Sequence, residues 1–164
     1  MANRKKKSDS DTPPQPTLSG ASRLLGIHLL SVTKKRVTGE MRVSPDHINR
    51  NGRVQGGTIM ALGDMMGAAG TIANLPPGCR TATLESKTNF FAAGSAPIVT
   101  AVSTPLHIGK STMVWQTTIR NVDKRVVAIV TQTQIVIYPE FAALHAKANE
   151  PRKAVTWRKQ SRNS

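Results

Sequence analysis

The chain has 164 residues, 38% hydrophobic and only 4% aromatic, which suits one domain whose core is packed by Val, Ile, Leu, Met and Ala. Its single cysteine, Cys79, excludes an intramolecular disulfide and a cysteine-based metal cluster. The 23 lysines and arginines outweigh 9 acids, and the excess lies in the middle of the chain as well as at its ends, so an anionic ligand suits it better than a cationic one.

Residues 1–18 are polar and carry Lys5-Lys6-Lys7. They read as a disordered basic tail. No apolar run follows the first basic residues, so no secretory signal is expected and the cytoplasm is favoured. The globular domain is expected over 19–138. Ser19–Leu30 fits a short helix, and Lys35–Val43 alternates as a strand. Ser44–Gly57 holds Pro45, Asn49, Asn51, Gly52, Gly56 and Gly57, the composition of a loop.

Thr58–Asn74 is the one long helical pattern. Ile59, Leu62, Met66, Ala69 and Ala73 form a single face, Thr58 is placed to cap the start, and Pro76-Pro77-Gly78 ends it. A surface helix carries several charges on its outer face; this one carries Asp64 alone. A carboxylate at the centre of a membrane span is costly, so the segment reads as a buried helix, sheathed on all sides. Gly63, Gly67 and Gly70 each weaken a helix by about 1 kcal/mol relative to Ala, and their expected use is close packing.

Four strand-like runs follow: Arg80–Phe91, Pro97–Ile108, Ser111–Asn121 and Arg125–Tyr138. Short turns between Val-, Ile- and Thr-rich runs predict an antiparallel meander. Pro105 marks an edge or a bulge. In the first run, strict alternation sets Thr83, Glu85 and Lys87 on one side and Leu84, Ser86 and Phe90 on the other. One helix cannot cover such a sheet on both faces. An α+β fold with a five- to six-stranded sheet wrapped around the helix is the simplest solution, and it leaves surface for a second copy. A homodimer or a dimer-of-dimers tetramer is expected. Residues 139–164 read as a basic tail with a short helix at Phe141–Asn149.

Chemistry concentrates between Asn49 and Thr83. Gly56 and Gly57 enter the helix where free N–H groups and the helix dipole favour negative charge, such as an oxyanion developing on a carbonyl. Two turns on, Asp64 supplies a carboxylate suited to general-base work. His28, His47, His107 and His145 show no metal-ligand spacing, so no metal is assigned.

The combined pattern Asn49-x-x-Gly52-x-x-Gln55-Gly56-Gly57, then Asp64, then Thr83-Leu84-Glu85-x-Lys87-Thr88-Asn89-Phe90 resembles the hot-dog-fold acyl-CoA thioesterases of the phenylacetate-degradation (PaaI-like) branch. The resemblance covers roughly residues 19–138. It implies hydrolysis of an acyl- or aryl-CoA thioester without metal or organic cofactor. Asp64 would be the catalytic acid, acting as nucleophile or general base. Gly57, with its neighbour Gly56, would polarise the thioester carbonyl. Asn49 would stand near the thioester and its leaving group, and Thr83 would position water or Asp64. The resemblance also implies a site shared across a dimer interface, Asp64 of one subunit meeting Gly57 of the other. The family's histidine before the two glycines is here Gln55, which can still hydrogen-bond. Arg53, Arg80, Lys87 and Lys110 are candidates for the phosphates of coenzyme A. The alternative is a non-catalytic module that binds acyl-CoA or associates with nucleic acid. Nucleic acid is disfavoured, since there is neither a helix-turn-helix nor an array of stacking aromatics.

Overall fold

The computed structural model describes residues 20–140. The expected tail over 1–18 and the expected helix at Phe141–Asn149 lie outside them. A short helix, α1 (Ala21–Leu24), is followed by strands β1 (Ile27–Val32) and β2 (Val37–Arg42), a 3-10 turn at Pro45–His47, and the long helix α2 (Gly56–Ile72). Strands β3 (Arg80–Phe90), β4 (Ile98–Ile108), β5 (Thr112–Asn121) and β6 (Val126–Ile137) complete the chain. The strands form one antiparallel sheet of order β1-β2-β4-β5-β6-β3. α2 touches every strand, so the sheet curls around it as expected.

Three details depart from the sequence reading. Ser19–Leu30 is not one helix: Gly26, at φ 60, ends α1, and Ile27 pairs with Met41 to open β1. Glycine is the residue that takes this left-handed turn without strain, and sheet pairing overrides the local helical preference beyond it. Secondly, α2 starts two residues earlier than predicted, with Gln55 rather than Thr58 at the cap position. The third departure is in β3, where the register slips between Thr83 and Glu85. The bulge puts two residues opposite one and reverses the alternation. Thr83 therefore shares the helix-facing side with Ser86, Thr88 and Phe90, not with Glu85 and Lys87. Pro105 satisfies both expectations. It lies beyond Ser103, the last β4 residue paired with β2, and it sits at a register shift against β5.

The apolar face of α2 is buried as its spacing predicts: Ile59, Leu62, Met66 and Ala69 are at most 1% exposed. They meet Val99, Met113, Trp115 and Val130 from the sheet's concave face. The helix glycines let the backbone approach the sheet. A Cβ at Gly63 would stand 2.5 Å from the Val130 side chain, and one at Gly70 would stand 2.6 Å from the rigid Trp115 ring. For Gly70→Val, overpacking costs roughly 1–3 kcal/mol. The helix-propensity gain over glycine returns only about 0.3 kcal/mol. The variant is expected to unfold at lower urea concentration than the parent chain, with an unchanged slope.

One expectation about α2 holds only in part. Gly67 and Thr71 are buried, but Gly57, Met60 and Ile72 are exposed and Asp64 is half-buried. A single copy thus leaves a stripe of α2 open. The stripe runs beside β3, an edge strand that exposes Leu84 and Phe90.

Candidate active site

Asp64 sits midway along the open stripe of α2, where the helix passes β3 and β6. Its Oδ1 accepts two hydrogen bonds, one from the Thr83 hydroxyl at 3.0 Å and one from the Gln132 amide. Thr83 is itself held, because its oxygen accepts from Gln134 Nε2 at 2.9 Å. Among the described residues no donor reaches Asp64 Oδ2 and no Lys, Arg or His forms an ion pair with the carboxylate. The carboxylate is tethered by one oxygen and leaves the other for a ligand. The bulge at Leu84 makes this possible by turning Thr83 towards the helix.

The second part of the site is the start of α2. The Gln55 N–H donates to the His47 carbonyl at 2.8 Å, while the Gln55 carbonyl accepts from Thr58 and Ile59. The Gln55 side chain is exposed and makes no capping bond. The amides of Gly56 and Gly57 are left without acceptors among the described residues, as the first N–H groups of a helix are. A Cβ at Gly57 would meet nothing within 4 Å, so the approach to its amide is open.

Beside these amides lies a cleft of about 310 Å³, lined among others by Asn49, Arg53, Gly56, Phe90 and Gly94. Asn121 holds one wall, accepting from the Ser95 N–H and donating to the Ala93 carbonyl. Asn49 shapes the other wall. Its Oδ1 accepts from the Asn51 and Arg53 N–H groups at 2.9 and 3.2 Å, an Asx-type turn. Its side-chain oxygen is therefore engaged by the loop, while the residue lines the cleft.

The structure thus joins Asp64 with Thr83, and groups Asn49, Arg53 and Gly56 around the cleft, with the exposed Gly57 next to Gly56 in the chain. It does not join these two groups within one chain. Gly57 and Asp64 share a helix face but are seven residues apart, about 10 Å of helical rise. Nor are the candidate cations together. Arg53 lines the cleft, whereas Lys87 pairs opposite Thr131 in mid-strand, and Arg80 starts β3 opposite Ile137, towards the turn that carries Lys110.

Sequence reasoning missed Gln132 and Gln134, both 1% exposed. Their signal was in the alternation of β6. Val130, Gln132, Gln134 and Val136 share one phase, and the valines mark it as the core side.

The antiparallel sheet wrapped on a single long helix defines the hot-dog fold. Residues 51–128 match the family model described as the Thioesterase superfamily, a span running from the cleft loop through α2 into β6. A 1,4-dihydroxy-2-naphthoyl-CoA hydrolase of Listeria monocytogenes is 28% identical over 110 residues, 67% of this chain and 89% of the relative. A thioesterase structure from Haemophilus influenzae superposes with a TM-score of 0.67 at 27% identity, covering 72% of this chain and 82% of that one. A hypothetical thioesterase of Streptococcus pneumoniae, solved with coenzyme A, gives 0.63 at 25% identity over 68% and 86% of the two chains. The chain has the hot-dog fold, and the family model, the curated relative and both of these structures are named as thioesterases or as a CoA-thioester hydrolase.

Proposed function

We propose that this enzyme hydrolyses an acyl- or aryl-CoA thioester, with Asp64 attacking as nucleophile or activating water, and with Gly57 of the partner subunit donating to the carbonyl oxygen. The observation that carries the reading is the tethered carboxylate of Asp64 on an otherwise uncharged, half-open helix, two turns from the Gly56 and Gly57 amides, which have no acceptor among the described residues. A coenzyme A thioester as substrate is supported by the naphthoyl-CoA hydrolase and the coenzyme A-bound relative above.

The shared site follows from distance. One reacting carbonyl must lie about 3 Å from both its attacker and its amide donor. Asp64 and Gly57 of one chain are too far apart for that. If two copies pack α2 against α2 in antiparallel sense about a two-fold axis near Met60 and Ala61, position 57 of each lies across from position 64 of the other. The same packing covers the exposed Met60 side chain and sets two β3 edges side by side. Asn49 and the neighbouring cleft would then stand beside the thioester, with Gly56 assisting Gly57 and Gln55 at the rim where the family has histidine. Arg53, lining the cleft, is the best placed of the four cations for a phosphate of coenzyme A. Arg80, Lys87 and Lys110 could contribute only from elsewhere on the surface.

The dimer is checked by light scattering coupled to size exclusion. At micromolar concentration the expected mass is twice or four times that of the chain, and a Leu84→Asp, Met60→Asp double substitution is expected to shift it towards monomer with loss of activity. A monomeric parent chain with full activity would refute the shared site. The reaction itself is checked with a panel of acyl- and aryl-CoA thioesters and a thiol reagent, at least one of which is expected to release free coenzyme A. Among the described residues no helix is long and apolar enough to cross a membrane, and cytoplasmic placement, where acyl-CoA is met, completes the reading.

A further inference from the structure

Gln132 and Gln134 are buried primary amides on the core side of β6, and burying an amide is unfavourable unless its groups are bonded. Gln134 has a partner at both ends: its Nε2 donates to Thr83 Oγ1, and its Oε1 lies 2.9 Å from the Thr81 hydroxyl, whose one proton it shares with the Ile135 carbonyl. Gln132 is satisfied at one end only. Its Nε2 donates to Asp64 Oδ1 and lies 3.2 Å from Thr83 Oγ1, whereas its Oε1 is buried with no partner among the described residues.

The amide cannot improve matters by turning over. An ionised carboxylate only accepts hydrogen bonds, so the amino end must face Asp64 and the oxygen must face away. Facing away means facing α2 at Gly67, where an added Cβ would overlap Gln132 Oε1. Glycine at this position, at a cost of about 1 kcal/mol in helix propensity, makes room for an amide that gains nothing from its own oxygen. For folding alone a methionine or leucine would fit the phase set by Val130 and Val136 better.

We propose that Gln132 is a positioning residue for Asp64, seated by Gly67. With Thr83 it fixes Oδ1 from two directions, setting the plane of the carboxylate and leaving Oδ2 for the thioester or its attacking water. Gln134 acts one step further out, holding Thr83. The inference rests on the reading of Asp64 as the attacking group.

The test uses the full chain and an acyl-CoA that the parent enzyme turns over, with kcat, KM and the thermal midpoint measured for Gln132→Met and Gly67→Ala. A hydrogen bond to a charged group is worth roughly tenfold to hundredfold in an equilibrium, and kcat is expected to fall by about that factor in Gln132→Met. KM should be unchanged, and the thermal midpoint should move little, because the bond lost to Asp64 and the removal of the unpartnered oxygen oppose each other. Gly67→Ala keeps Gln132 but displaces its amide, and the same loss in kcat is expected. It serves alone if Gln132→Met does not fold. Parental kcat in either folded variant, or a loss confined to KM or to the thermal midpoint, overturns the positioning role. Asp64→Asn separates the levels. If it retains turnover, the reading of Asp64 has failed and takes this inference with it. If it is inactive while Gln132→Met is not, only the role of Gln132 falls.

Discussion

Asp64→Asn is expected to lower kcat by about 10²- to 10⁴-fold, the range that general-base groups contribute, while the protein keeps its fold and oligomeric mass. The substitution is nearly isosteric and leaves an oxygen to accept from Thr83 and Gln132, the two donors that hold the native carboxylate. It removes the negative charge and the basic oxygen. Asp64 is half-buried on the open side of α2 and is in no ion pair among the described residues, so no structural charge is left behind to destabilise the variant. The readout is release of free thiol from the best acyl-CoA, alongside circular dichroism and light scattering. Turnover within a few-fold of the parent would show that another group performs the attack.

Gly57→Pro is the second large effect. Proline in the first turn of a helix is tolerated because the N–H it lacks has no intrahelical partner there, and a Cβ at this position meets nothing within 4 Å in the single chain. The fold should therefore survive. What is lost is the amide proposed to donate to the carbonyl oxygen, and removing one such donor costs about 10²- to 10³-fold in kcat. Gly57→Ala retains the amide and is expected to lose far less. Equal losses in the two variants would point to the partner's packing at this position rather than to the N–H.

Much of this site was legible before any coordinates. Asp64 stood out because a helix of 17 residues contains no other charge, and Gly56-Gly57 because two glycines open it. Thr83 was found through the motif and not through its strand, since strict alternation assigned it to the wrong side. A bulge is a backbone event with no strong residue signature, and Leu84, the residue it leaves unpaired, looks like any strand leucine. β1 was missed because Gly26 is the only sign that the chain turns there, and what makes Ile27–Val32 a strand is its partner β2. Gln132 and Gln134 were visible as polar residues in a core phase, but glutamine between threonines reads as solvent-facing until the valines on either side are counted. The closure of α2 was overestimated for a physical reason as well. Lack of charge tells that a face is covered, but not whether the cover belongs to the same chain.

The most direct measurement is subunit complementation. Asp64→Asn and Gly57→Pro homodimers should both be inactive. Mixed one to one and allowed to exchange, about half the dimers become hybrids with one intact pairing of a native carboxylate and a native amide. Activity should rise to about a quarter of the parent enzyme's under that symmetry. A mixture that remains as inactive as its parents, with hybrids confirmed by native mass spectrometry, would contradict a site built from both subunits.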